Sequence, residues 1–333
     1  MELSNFSSTQ GGVITSLTCS LDMIEKELTR HGVMPTEFFA YPIGSPESNR
    51  IAKQMSTRNP FRTEAYALAM QDMGYEAWIV GASCESTEDA AFAFLRRGRL
   101  NRFLEIPSLP GAAASAAFWD GLFAFCRQQN VTMLETNSFG SESPVEIPAV
   151  KPDMTRELQM EYIIQLDGLR RLSRNHRRNL QKASSANLTL RRASSEAACD
   201  EHVRLMSQSR DRRVKRGEIV AMDLNPEHYG PLLKHGAGEL FQVSHQGITV
   251  SSMLVLRSKE AAYFYSSGTS ASGMQVGASH FLFQTIFEEL KREGVRIVNR
   301  CGPRLKVGLF QRGLRSRDGP GFFGKVLHWS GVA

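Results

Sequence analysis

The chain has 333 residues, 41% of them apolar and 9% aromatic, which is too long for one ordinary domain and apolar enough for real cores. Its net charge of +6 and pI of 9.1 suit an anionic ligand or a nucleic acid without requiring either. Five scattered cysteines (Cys19, Cys84, Cys126, Cys199 and Cys301) form no C-x-x-C pair and stand beside no histidine cluster, which argues against a zinc site or a disulfide framework and for a reducing compartment.

In chain order, residues 1–34 read as a polar tail with a short amphipathic helix around Leu21 to Thr29. The opening "MELSNFSSTQGG" has neither a basic n-region nor an apolar h-region, and no run of about 18 apolar residues follows, so the expectation is a cytoplasmic protein without a membrane span. "EFFAYPI" is a strand. "PESNRIAKQM" opens a helix with Pro46 and Glu47, and "FRTEAYALAMQDMG" is a second helix that Gly74 ends. "EAWIVGAS", "AFAFLRR" and "RFLEIP" are three strands in succession. A helix over Ser115 to Gln129 and the strand "VTMLET" complete the first half.

The second half repeats part of this order. At a fixed offset of 164 residues, Leu122 and Phe123 match Ile286 and Phe287, Cys126 matches Leu290, Arg127 matches Lys291, and Val131 matches Val295. Each copy runs strand, loop, helix, stop residue, strand, with a strand-rich block before it. A tandem duplication follows, its join falling near Ser143 to Pro152, where Pro144, Pro148 and Pro152 interrupt regular structure. The fold class is mixed α+β, with an N-terminal domain over 35–150 and a C-terminal domain over 151–333.

One segment is oddly one-sided in charge. From Gly168 to Ser195 there are eight Lys/Arg and no Asp or Glu. On a helix, Arg171, Arg174, Arg178 and Lys182 fall on one narrow face, with Arg177 beside them. Leu169, Leu172, His176, Leu180 and Ala183 make the opposing, mostly apolar face. A merely solvated helix mixes signs, so an anion-binding wall is expected here, phosphate being the anion that suits arginine best. "RDRRVKR" from Arg210 and "PRLKVGLFQRGLRSR" from Pro303 are further cationic clusters in the same half.

"EYIIQLDGLRRLSRNHRRNLQKA" resembles the opening of the second module of the tandem GNAT, FemAB-like acyltransferases. "AAYFYSSGTSASGMQVGASHFLFQTIFEELKREGVRIVNRCG" is similar to that family's core of strand, irregular loop, helix, Gly, strand, Gly. "NPFRTEAYALAMQDMGYEAWIVGA" is similar to its N-terminal module. The likeness runs from about Phe38 to Trp329 and implies two GNAT domains packed side by side. It also implies transfer of an acyl or aminoacyl group onto an amine, with acyl-CoA or aminoacyl-tRNA as donor substrate and no bound cofactor or metal. The acceptors it leaves open include amines of cell-envelope and polysaccharide metabolism. In the Fem branch a C-terminal lysine meets developing negative charge, and Lys306 in "LKVGLF" is the matching position, although Leu305 stands where the family has an aromatic residue. No long charged heptad insertion of the kind some Fem enzymes use as a tRNA-contacting arm is present.

Acyl transfer to an amine needs donors aimed at a tetrahedral oxyanion and a way to keep the amine neutral. The resemblance assigns the donor's pyrophosphate to the start of the helix after "SGMQVGAS", that is to Gln275, Gly277, Ala278 and Ser279. Tyr263 and Tyr265 alternate on one strand, share a face, and join Lys306 as candidate catalytic groups, while Arg174, Arg177, Arg178 and Lys182 are the candidate phosphate contacts. His280 reads as a core or capping histidine and Cys301 as a small buried thiol. No Ser-His-Asp or Cys-His order has a local signature, so covalent catalysis is not expected. The competing reading is a GNAT-fold protein without chemistry that binds RNA or assists assembly, and it predicts binding that weakens steeply with salt.

Overall fold

The computed structural model of the protein describes residues 37–55, 58–84, 87–140, 154–167, 172–218, 220, 224–304 and 323–330. The N-terminal tail and its expected helix, the expected join, Arg171 and Lys306 lie outside the described residues.

Twelve strands form one continuous sheet in the order β1-β2-β3-β4-β5-β12-β6-β11-β10-β9-β8-β7. The first half supplies β1 (Glu37–Pro42), β2 (Glu76–Cys84), β3 (Thr87–Arg97), β4 (Arg102–Ile106) and β5 (Met133–Thr136). The second supplies β6 (Met154–Gln165), β7 (Thr189–Ala193), β8 (Gly238–His245), β9 (Ile248–Arg257), β10 (Ala261–Thr269), β11 (Ile297–Arg304) and β12 (Phe323–Ser330). The C-terminal strand β12 pairs with both β5 and β6 and stitches the halves into one sheet.

Among these pairings two are parallel, β4 with β5 and β10 with β11. A helix crosses over each, α3 (Ala116–Gln128) in the first half and α8 (Ala278–Arg292) in the second. The offset of 164 read from the sequence carries Met133, the first residue of β5, onto Ile297, the first residue of β11. The duplication is therefore of a β-α-β unit.

Before α3 come α1 (Pro46–Gln54) and α2 (Glu64–Asp72); between α3 and α8 come α4 (Arg174–Ser184), α5 (Glu196–Lys215), α6 (Gly230–Lys234) and α7 (Ala271–Gln275). Strand alternation divides the sheet's side chains between two faces. On one, Leu104, Ile106 and Leu134 pack under Phe118, Leu122 and Phe125 of α3, and Val255 and Val298 pack under Leu282 and Ile286 of α8. On the other, one cluster joins the halves: Ile51, Phe61, Tyr66 and Phe92 meet Cys199, Met206, Tyr229, Leu232 and Tyr263. Arg58 pairs with Glu260 at 3.3 Å and Lys234 with Asp72 at 2.6 Å across the same junction.

Three local expectations change. "FRTEAYALAMQDMG" is a 3-10 turn over Pro60–Arg62 followed by α2, because Thr63 is extended and its hydroxyl accepts from the Tyr66 N–H as an N-cap. The cationic helix begins at Arg174, where the Ser173 side chain caps it. The loop expected after β10 is the short helix α7, capped by Ser270. Among the described residues, no helix is long and apolar enough to cross a membrane.

Candidate functional site

The site begins where two strands part. β10 pairs with β11 only over Ala261–Phe264 and Ile297–Arg300, although both strands continue. On its other side, Phe264 faces Val255 and Ser266 faces Leu254, so Tyr265 is the extra residue of a β-bulge. Tyr265 and Ser266 both serve the face that carries α2 and α5. Tyr265 lines a cleft there, and the Ser266 hydroxyl lies 2.8 Å from His202 Nε2 on α5. The α5 backbone comes close enough that a Cβ at Gly268 would sit 2.3 Å from the Met206 nitrogen, so glycine is required at that contact.

His202 is fully buried. Its Nδ1 is 2.5 Å from the Ser252 hydroxyl, and the Tyr229 ring packs on it with centroids 5.1 Å apart. Burial pushes its pKa down to about 4, so the neutral ring, one nitrogen donating and one accepting, ties α5 to β9 and β10. The spacing of Ser266, His202 and Ser252 looks like a nucleophile, base and orienting group. A ring this hard to protonate is a weak base, which makes the trio a clamp rather than a covalent-catalysis site.

The cleft has a volume of about 90 Å³, opens to solvent, and draws its walls from both halves. The first half gives Tyr66, Met70, Met73 and Tyr75 from α2 and the turn after it, with Glu105 from β4. The second half gives His228, Tyr229, Leu232 and Tyr265. Leu104 and Ile106 point into the α3 core, so strand alternation sends Glu105 to the cleft. Its carboxyl has no hydrogen-bond or ion-pair partner among the described residues. Desolvation, with the neighbouring Glu135 charge second, raises its pKa to about 7. Glu135 stands level with it on β5 and accepts from Asn137 Nδ2 at 3.2 Å. Burial likewise raises the Tyr66 phenol and keeps it protonated.

The opposite face carries the cationic elements. Arg174, Arg177, Arg178 and Lys182 are exposed along α4, whose inner side is half-buried His176 and Leu180 with buried Ala183. No carboxylate is within ion-pair distance of the four cations among the described residues. His176 meets His280 of α8 edge to face at 4.7 Å, and Asn179 Nδ2 lies 3.4 Å from His280 Nε2. Gly277 starts α8 in the left-handed region (φ 73°) without a side-chain cap, and a Cβ there would sit 2.6 Å from the Asn179 carbonyl oxygen. Cationic α4 is thus locked beside the N-terminus of α8. Arg300, its guanidinium 5.3 Å from the centre of the Phe283 ring, adds a charge that helps burial lower the His176 pKa.

The expected residues separate by this geometry. Tyr263 is buried, packing against Phe61 at 4.8 Å and Phe139 at 6.0 Å, and belongs to the core, whereas Tyr265 on the same face is 41% exposed at the cleft. Gln275 is exposed at the end of α7, Ser279 is half-buried, and Gly277 and Ala278 are buried at the α7–α8 junction, with Ala278 in the core. In "RDRRVKR", Arg213 and Arg216 pair with Glu218 and Arg212 donates to the Thr269 carbonyl, so three of its five cations are already engaged within the fold. Sequence reasoning missed Glu105 and His202. Alternation along "RFLEI" turns Glu105 away from the α3 core, but nothing local announces what covers it.

Residues 170–303, the segment holding α4, the bulge and α8, match the model of the acetyltransferase (GNAT) domain. Across the chain the fold is similar to a crystal structure of FemX, at 11% identity and TM-score 0.57, covering 83% of this chain and 91% of that one. It is also similar to a conserved protein of unknown function from Bacteroides thetaiotaomicron, at 10% identity and TM-score 0.51, covering 85% and 96%. A tandem GNAT protein from the clavulanic acid biosynthesis pathway matches at 12% identity and TM-score 0.48, covering 89% and 100%. Among curated proteins no relative matches.

Proposed function

We propose that this chain, a tandem GNAT fold of the FemAB-like kind, is an acyltransferase that moves an acyl or aminoacyl group from acyl-CoA or aminoacyl-tRNA onto an amine. The observation that carries the reading is the parting of β10 from β11 inside the GNAT-matched segment. The parting lies between a cationic face, formed by α4 and the α8 N-terminus, and a cleft on the other side of the sheet. Phosphates of the donor suit Arg174, Arg177, Arg178 and Lys182 with the first turn of α8. The donor's reactive carbonyl then lies between the parted strands, near the bulge at Tyr265. There, backbone N–H groups released from pairing suit a developing oxyanion. Lys306, seventeen residues before β12 along the chain, is retained as the cation that meets this charge by resemblance alone. The acceptor amine enters from the cleft side, and compounds of cell-envelope or polysaccharide metabolism fit the resemblance.

The deciding experiment is a competition titration of the purified protein with acetyl-CoA, a longer acyl-CoA, and charged and uncharged tRNA at two salt concentrations. Saturable, weakly salt-dependent binding of a CoA ester makes the donor acyl-CoA. Preference for charged over uncharged tRNA makes it aminoacyl-tRNA. Binding of RNA regardless of charging, weakening steeply with salt, overturns the acyltransferase reading in favour of an RNA-binding protein.

A further inference from the structure

We propose that the cleft between the two halves is the acceptor's ammonium subsite, with the Glu105 carboxylate as the anion that receives the cation and takes one of its protons. The inference rests on the acyl-transfer reading for its purpose, but not for its geometry. A carboxyl with no hydrogen-bond donor among the described residues stands in a cleft walled by Tyr66, Tyr75, Tyr229 and Tyr265, with Met70 and Met73 beside them. A desolvated, unpaired carboxyl is costly to keep, and a bound cation removes that cost. Tyrosine faces attract a cation through their quadrupoles, and methionines supply apolar walls for an alkyl stem. Above pH 7 the ionised Glu105 disfavours phosphate or carboxylate ligands in the same cleft.

The charged and titratable groups around Glu105 come from every side. They are Tyr66 and Tyr75 from α2 and its turn, His228 and Tyr229 from the segment leading into α6, Tyr265 from β10, and Glu135 from β5. Arg96 lies behind the Tyr75 ring, 5.7 Å from its centre, and His328 of β12 stands level with Glu135 in register. The proton transfer balances simply: one N–H bond of the ammonium breaks, an O–H bond forms on Glu105, and the freed nitrogen lone pair attacks the donor carbonyl. The C–N bond forms as the donor's C–S or C–O bond breaks, and the leaving sulfur or oxygen takes up a proton. Because Glu105 holds a proton up to about pH 7, it draws one from an ammonium more readily than an ordinary carboxylate near 4.5. The difference is on the order of a hundredfold in the neutral-amine population.

The test uses the full chain labelled with ¹³C at the methionine methyls, so that Met70 and Met73 report on the cleft. It compares n-butylammonium with its neutral counterpart n-butanol. Saturable shifts of those two signals with the ammonium, at least ~10-fold weaker with the alcohol, are expected. Glu105→Gln should weaken ammonium binding ~10-fold or more and leave the alcohol unchanged, and wild-type binding should weaken as pH falls below about 7 and Glu105 takes up its proton. Tyr265→Leu, at a half-exposed position, should weaken the ammonium several-fold and serves as a second, independent variant. Equal affinity for both probes, an ammonium affinity indifferent to Glu105→Gln and Tyr265→Leu, or no saturable shift overturns the subsite. The donor titration above stands apart from this one. Donor binding without ammonium binding sinks the subsite alone, and ammonium binding without any donor sinks the acyl-transfer reading alone.

Discussion

Replacing Glu105 by glutamine should stabilise the protein above pH 7 and do nothing below pH 4. Glu105 keeps a proton up to about pH 7 in the folded chain, against an ordinary 4.5, chiefly because its site is desolvated and secondly because Glu135 is adjacent. A group whose folded value lies above its unfolded value favours folding while protonated in both states. That advantage is lost as pH rises from 4.5 through 7. At about 1.4 kcal/mol per pH unit, the carboxylate costs roughly 3 kcal/mol at pH 8, equivalent to a few degrees in Tm for a chain of this size. Glutamine has the same shape, fits the same cleft, and carries no charge to desolvate. The assay is thermal unfolding of wild type and Glu105→Gln from pH 4 to pH 8. The two Tm curves should coincide at pH 4 and separate progressively to pH 8, with the variant higher. Curves separated by a constant amount, or a variant lower at pH 8, would refute the claim that Glu105 is a desolvated carboxyl without a partner.

Four further outcomes follow from the geometry. Charge reversal at both Arg174 and Arg178 should reduce donor affinity at least tenfold, since each charge-assisted contact is worth ~1.5–3 kcal/mol, while Tm stays unchanged because both side chains are exposed. Unchanged affinity returns that helix face to solvent. Gly277→Ala should cost roughly 1–2 kcal/mol for the left-handed backbone plus the displacement of Asn179, and should weaken donor binding by moving α4 off α8; calorimetry and titration check the two parts. Tyr263→Leu should lower Tm by removing a ring buried against Phe61, while Tyr265→Leu should leave Tm nearly unchanged and act on transfer kinetics. Gly268→Ala should destabilise strongly, because the atoms a Cβ would meet are α5 backbone, and its unfolding midpoint reads that directly.

Much of the fold was legible because its signals are local. The register of α3 and β5 with α8 and β11 could be read from apolar spacing, since a β-α-β unit imposes that spacing wherever it occurs. The amphipathic cationic helix was legible for the same reason, and its inner residues His176, Leu180 and Ala183 do face the protein. Boundaries failed where a single side chain decided them, as Thr63 and Ser173 do by capping. Glu105 was out of reach because "RFLEI" only shows a carboxyl turned from the α3 core, while its desolvation comes from Tyr229, Leu232 and Tyr265 of the other half. His202 was out of reach likewise. Its partners Ser252 and Ser266 sit on a hairpin, and no pattern within α5 points to them.

His202 and Glu105 give the molecule two titrations of opposite sign in one pH window. The folded-state pKa of His202 is depressed from 6.5 to about 4 by burial, so its contribution is fully present above 6.5 and is lost as pH falls through 4. That loss amounts to roughly 3 kcal/mol, nearly the size of the loss Glu105 imposes as pH rises from 4.5 to 7. Between pH 4.5 and 6.5 the folded chain holds a proton on Glu105 that the unfolded chain releases, and lacks one on His202 that the unfolded chain binds. The two slopes cancel, and wild-type Tm should owe little pH dependence to either group there. Removing one exposes the other: Glu105→Gln should gain stability as pH rises through this window. His202→Gln keeps a donor and an acceptor for Ser252 and Ser266, and should lose stability as pH rises. The double variant should recover the wild-type flatness at a different absolute Tm. If the single variants instead slope the same way as each other, the cancellation is wrong, and at least one of the two groups is solvated or paired in the folded protein.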